Sequence, residues 1–164
     1  MNEAVEPILD PSLKIIDAHH HLIDAPGHQY SIDDYTADCD RGHDIRASVY
    51  IEVRQQYHEG GPESLRPVGE TEFVASVAER ADRGEFGARA LCAGIVGYAD
   101  LALGDPVAEV LDAHIAAAGG RFRGIRRGGY WDSDPAVYNH VSVRPPKGLL
   151  LDPGFARGFA QLKP

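Results

Sequence analysis

Three consecutive histidines, His19, His20 and His21, follow the apolar run Ile15-Ile16 and a single carboxylate, Asp17. Side chains of an extended chain alternate in direction, so His19 and His21 share one face and His20 points to the other. Two imidazoles on one face at a strand end can hold one divalent cation at ~2.0–2.1 Å. Asp17 falls on the same face by that alternation, where it could orient an imidazole or lie beside the ion. Zn²⁺ or another divalent ion suits such a set, because imidazole accepts several metals. The competing readings are a tag remnant and a solvated loop. The apolar strand directly ahead of the histidines favours the metal.

Other chemistry-bearing residues fall where strands are expected to end. Glu52 either faces the ion, or holds an imidazole that does, or is a carboxylate turned to solvent. Arg126 could clamp a substrate carboxylate with its planar fork, against a surface ion pair of little worth. Arg123 and Arg127 read as solvated. Tyr130 and Trp131 read as packing under a long loop rather than as a lid. His114 lies on an apolar helix stripe and reads as a satisfied interface histidine. His28, His43, His58 and His140 are loop histidines without partner spacing. Asp100 reads as a turn or cap residue. Cys39 and Cys92 have no His or basic neighbour to make a thiolate pair, so neither reads as a nucleophile. Gly94, Gly97 and Gly104 fit neither the dinucleotide nor the P-loop spacing.

The elements that must carry these residues are legible as alternating patterns. Residues 1–12 form a polar lead-in. Residues 13–17 are a short β-type run, residues 24–43 a loop with one short helix over 32–37, and residues 47–53 a β-branched, aromatic strand. Residues 54–69 read as loop. Phe73, Val74, Val77, Ala78 and Ala81 then make one apolar helical face. Residues 90–98 form an apolar strand buried on both faces. Asp105-Pro106 predicts a cap and first turn, followed by the stripe Val107, Val110, Leu111, His114, Ile115 and Ala118. Residues 121–126 are a fourth strand. Asp152-Pro153 repeats the cap signal ahead of Phe155, Phe159 and Leu162. Strands alternating with helices predict a parallel α/β sheet. About four such units are too few for a closed eight-unit barrel, which needs at least ~200 residues.

Composition narrows the function classes. The chain has 164 residues, a length that predicts one domain over 13–164. Sixteen Lys and Arg against twenty-five Asp and Glu leave a net charge of −9. That balance speaks against nucleic-acid and anionic-membrane partners, which need clustered positive charge. No apolar run approaches the ~18–20 residues of a membrane span. The acidic N-terminus lacks the apolar core of a secretory signal, and two cysteines make no disulfide framework. A reduced, cytoplasmic protein acting on a small molecule is the expectation.

Residues 15–22, from Ile15 to Leu22 through the three histidines, resemble the first strand of amidohydrolase-related metal-dependent hydrolases with a TIM-barrel fold. Residues 42–52 are similar to that family's second strand, and residues 61–74 to the loop and helix of one branch. Residues 92–101 resemble its third strand, 121–126 its fourth, and 148–155 the start of its fourth helix. The resemblance runs from about residue 13 to the end. It implies the first half, about four βα units, of a (β/α)8 TIM barrel, with His19 and His21 as the first two metal ligands. It implies hydrolysis of small carboxylated molecules such as lactones or amides, with the metal activating water or polarising a carbonyl. Some branches work without a metal, so a metal-free lactonase is the alternative within the fold. The family's remaining ligands and catalytic groups follow its fifth, sixth and eighth strands. They are therefore expected beyond residue 164, and the 164 residues alone are expected to be inactive. A non-catalytic half-barrel is the further alternative, its open edges closed by a second copy or by a complementary C-terminal chain. Inner residues such as Ile51 and Val96 are expected to be poorly covered.

Overall fold

The computed structural model describes residues 7–139 and 143–162. Residues 1–6 of the lead-in and His140 lie outside them. In chain order the first elements are β1 (Lys14–His20), a hairpin of β2 (Ile23–Ala25) and β3 (His28–Tyr30), α1 (Ile32–Cys39) and β4 (Asp44–Ile51). Then come α2 (Val68–Asp82), β5 (Ala90–Gly97), α3 (Val107–Ala117), β6 (Phe122–Ile125) and α4 (Pro153–Phe159). The protein is α/β. Strands β1, β4, β5 and β6 form one sheet in that order, and every neighbouring pair is parallel.

The hairpin replaces part of the loop expected over 24–43. Ala25 pairs with His28 across Pro26-Gly27, and Gly27 sits at φ 78°. Proline pre-sets the first corner of such a turn and glycine accepts the positive φ of the second. The helix that follows begins with a reciprocal cap: Ser31 accepts from the Asp34 amide, and the Asp34 carboxylate accepts from the Ser31 amide.

Helices α1 and α2 lie on one face of the sheet. Ile32, Tyr35 and Cys39 of α1 and Val74, Val77, Ala78 and Ala81 of α2 pack with Tyr50, Leu91 and Ile95 of the strands. Val107, Val110 and Leu111 of α3 form a second cluster, and Phe122 packs against both clusters. Two stripe residues depart from their patterns. Phe73 and Ile115 are exposed, because each stands at the border of its helix's buried arc. Asp105 does not cap α3. The helix starts after Pro106 with no side-chain cap, and the Asp105 carboxylate instead accepts from Gln161. Asp152 does cap α4, accepting from the Gly154 and Phe155 amides. On the opposite sheet face Ile16 and Arg123 are exposed, and Val49 and Val96 are half-buried. Ile51 departs from the expectation of poor cover. It is buried, at the end of β4 where His21 and Arg126 both bond to carbonyls.

Candidate functional site

The site residues gather where the parallel strands end. Strand β1 delivers the histidines, and an irregular register sets their directions. Asp17 pairs with Ser48, yet His20 pairs with Tyr50. Three steps on β1 thus oppose two on β4, which is a β-bulge. The extra residue turns Asp17 away from the place that simple alternation gives it. Its carboxylate accepts from the Tyr35 hydroxyl at 2.9 Å and from the His19 amide at 3.0 Å. Asp17 therefore bonds to neither the His19 nor the His21 imidazole. It shapes the bulge that presents them.

His19 and His21 do converge. Their Nε2 atoms are 3.2 Å apart, and the rings meet edge to face at 86°. Two nitrogens bonded to one ion at ~2.0–2.1 Å, at angles between octahedral and tetrahedral, lie roughly 2.8–3.4 Å apart. The pair fits a single divalent cation. With no cation, a neutral His19 can satisfy the same distance by donating Nε2–H to His21. The His21 Nδ1–H donates to the Ile51 carbonyl at 2.7 Å, which leaves Nε2 as the lone-pair nitrogen, as a ligand requires. Burial holds the His21 pKa below its ordinary value, and the neighbouring Arg126 charge adds to this. A neutral imidazole is the ligating form.

His20 points the other way, as alternation predicts. It stacks on Tyr35 at 4.2 Å, its Nδ1 meets the Val49 carbonyl, and its Nε2 meets Cys92 Sγ at 3.6 Å. Burial pushes its pKa down to about 4 and the Cys92 thiol up to about 12. The contact is a buried thiol donating to a neutral ring, and it makes no nucleophile. His28, on β3, lines the same open pocket as His19, His20 and His21, a placement its loop position in the sequence did not signal. Among the described residues no three His, Cys, Asp or Glu side chains converge to hold an ion.

Glu52 and Arg126 form the second part of the site. Glu52 is 5% exposed, so it is not a solvent-facing carboxylate, and among the described residues it bonds to no histidine. Its Oε1 accepts from Arg126 Nε at 2.8 Å, and its backbone oxygen accepts from Arg126 Nη2. Its Oε2 is buried with no partner among the described residues. Arg126 is half-exposed and keeps a face toward an open pocket. Arg127 is not solvated. Its side chain is 8% exposed and reaches Asp100 at 3.2 Å. Asp100 also caps the 3-10 turn Leu101–Leu103 by accepting from the Ala102 amide.

Glu70, which sequence reasoning passed over, positions this rim. Its Oε1 accepts from the Tyr50 hydroxyl and the Val53 amide at 2.8 Å each, and from the Gln55 amide at 3.3 Å. One helix carboxylate thus fastens the loop that leaves β4. Burial raises its pKa. A glutamate in the first turn of an apolar helix was the available signal, and it reads equally as a favourable dipole charge. His114 is satisfied on both nitrogens, by Thr71 Oγ1 and the Tyr98 carbonyl. Tyr130 and Trp131 are exposed rather than packed beneath the loop, with Arg144 and Lys147 over the Trp131 ring. In comparisons with protein-family models, with curated proteins and with solved structures, nothing matches this chain.

Proposed function

We propose that the chain is the ligand-bearing first half of a TIM-barrel, metal-dependent hydrolase of amidohydrolase type, acting on a small carboxylated substrate such as a lactone or amide. The observation that carries this reading is the 3.2 Å approach of the His19 and His21 Nε2 atoms, with His21 fixed in the ligating tautomer by the Ile51 carbonyl. The sheet order supports the barrel half of the proposal. The four parallel strands follow one another without reversal, whereas a doubly wound sheet reverses its order at a switch point. Right-handed crossovers that always advance in one direction put their helices on one face, as α1 and α2 lie here.

His19 and His21 would hold the ion, and a divalent ion supplies a water of lowered pKa and a Lewis acid for the scissile carbonyl. His21 keeps its Nδ1 proton on Ile51 throughout and stays neutral. Arg126, pinned by Glu52, turns the rest of its guanidinium to the substrate carboxylate. Two imidazoles hold a cation weakly. On this reading the completing ligands and the general base come from further barrel units, in the same polypeptide or in a partner chain. Ile16, 66% exposed on the edge strand β1, favours a surface that such units would cover, and so favours the half-barrel reading that needs a partner.

Titration with Co²⁺ tests the centre, since its absorption reports nitrogen ligands. One weak site per chain is expected, lost in His19→Ala and in His21→Ala and retained in His58→Ala, where the ring pairs with Glu72. Binding that survives both losses sinks the metal reading. The 164 residues should give no turnover on a lactone and amide panel. Robust metal-dependent rates would overturn the need for completing groups.

A further inference from the structure

An open pocket of about 320 Å³ is lined by residues just past the ends of β4, β5 and β6, with Tyr130, Val143 and Pro145 of the following loop. Its chemistry is unlike the rest of the protein. Arg54, Arg126 and Arg127 all line it, and among the described residues Glu52 is the one acidic side chain that does. A chain of net charge −9 has concentrated three guanidiniums in one recess, where low-dielectric walls focus their field.

The three cations are not equally satisfied. Arg126 is bound by Glu52. Arg127 gives Nε to Asp100 and Nη1 to the Gly128 carbonyl. Arg54 has no hydrogen-bond acceptor among the described residues. Its guanidinium lies over the Tyr98 ring at 4.6 Å, and Arg127 shares that ring at 5.8 Å, both within cation–π range. Five N–H donors on a stacked, partly desolvated fork call for an acceptor.

The backbone is committed to this placement. Arg54 sits at φ 63°, a left-handed conformation uncommon outside glycine, asparagine and aspartate. The buried Glu70 carboxylate grips the amides on either side of it, at Val53 and Gln55. Strain of this kind persists only where its surroundings over-determine it, and it clusters at ligand clamps.

We infer that Arg54 and Arg127, stacked on Tyr98, form an oxyanion subsite that takes a carboxylate or phosphate group of a small ligand. The guanidinium fork matches both anions in shape and charge, and the volume suits a small molecule. In the proposed hydrolase the subsite would hold a second anionic arm of the substrate, apart from the group that Arg126 meets, and that use rests on the hydrolase reading. Oxyanion binding itself does not.

The test is a ¹H–¹⁵N titration of the metal-free 164-residue chain at low salt with glutarate, inorganic phosphate and the neutral isostere glutaramide. Saturable shifts at the Gly128 and Gly129 amides are expected with at least one anion and not with glutaramide. Response to glutarate alone assigns the source as a carboxylate. Response to phosphate assigns it as a phosphate group. Arg54→Gln should weaken binding about tenfold to a hundredfold, and Arg54→Lys, which keeps the charge and loses the fork, severalfold. Arg46→Gln, on an exposed pair with Asp44, should change nothing. If Arg54→Gln does not fold, the lysine variant carries the comparison. Equal shifts with glutaramide, or unchanged affinity in the Arg54 variants, overturn the subsite. Glutarate or phosphate binding without Co²⁺ binding at the histidines would sink the hydrolase reading and leave the subsite standing. The reverse result would sink the subsite alone.

Discussion

The middle of the sheet and its flanks are built to different standards. Between β4, β5 and α2 the side chains of Tyr50, Leu91, Ile95 and Val74 are fully enclosed, and the polar groups beside them are bonded except Glu70 Oε2, which is buried with no partner among the described residues. Ser48 Oγ accepts from the Cys92 amide, and Glu70 accepts three hydrogen bonds. At the flanks, Ile16 on β1 lies open. On α4 the residue that is buried is Gly158, which fits only because its missing side chain lets the helix approach the Leu101 carbonyl. Phe159 on the same helix is 61% exposed. Stability is concentrated in the centre, while His19, His21, Arg126 and Arg127 project from strand ends beside it. The histidine pair stands at the end of the edge strand β1, whereas the arginine pocket spans the ends of β4, β5 and the opposite edge strand β6, so the two sites lean on different flanks.

The largest effect should come from emptying the enclosed face. Ile95→Ala removes a buried branched side chain and leaves a cavity, at a cost of roughly 2–5 kcal/mol. Urea unfolding of that variant beside Phe159→Ala reads the contrast directly. An equal loss at both sites would erase the distinction between centre and flank.

Acid should act on the centre next. His20 protonates at about 4 in the folded chain but near ~6.5 when unfolded. Between those values the unfolded chain binds more protons, so stability is full above ~6.5 and falls as the pH drops toward 4. His20 alone contributes about 3 kcal/mol over that window. His114 and His21, both lowered by burial, act in the same direction. Glu70, raised by burial, acts in the opposite one, holding its proton more tightly when folded. Urea midpoints measured from pH 7 to 4.5 should fall, and His20→Gln should flatten the decline. A flat profile in the unmodified protein would mean that the ring is hydrated.

The network that holds the rim gives a smaller, sharper contrast along one helix. Glu70→Gln weakens three bonds to one oxygen at a cost of about 1–2 kcal/mol. Glu72→Gln, two residues on and exposed beside His58, should cost under ~0.5 kcal/mol. Differential scanning calorimetry of the two variants checks this. Matching shifts would mean that Glu70 is not the fastening point of the loop after β4.

Much of this arrangement was legible in residue order because it rests on local periodicity. The alternation His19-x-His21 gave the converging pair, the Val74, Val77, Ala78 and Ala81 spacing gave the buried face of α2, and Asp152-Pro153 gave a cap. What was not legible depends on pairing between distant segments. The bulge that redirects Asp17 is a mismatch between β1 and β4, and nothing within β1 encodes it. Arg127 reads as solvated beside Arg126, yet its neighbours Asp100 and Tyr98 come from the end of β5, across the sheet. Arg54 sits in a stretch rich in loop signals, and only the carboxylate of Glu70, sixteen residues later, gives it a fixed place. The Pro26-Gly27 turn was visible as a loop signal, but the strands on either side are three residues each, too short for alternation to show.

The smallest effect is expected where the flank is barest. Phe159→Ser removes an aromatic ring that is already mostly hydrated, so unfolding of the 164-residue chain should change by less than ~0.5 kcal/mol. Ile16→Ser should behave alike, since its side chain is equally open. The value of these two variants lies in what happens when further units are added. A chain segment or partner that closes the sheet over β1 would take the Ile16 side chain out of water, and its loss would then cost ~1.5–3 kcal/mol of association. Phe159, on α4, would gain in the same way only if the added units also covered that helix. Measured first alone and then with a candidate partner, Ile16→Ser and Phe159→Ser therefore separate closure at the β1 edge from closure at α4. No change at either position on adding a partner would mean that the partner does not dock on these flanks.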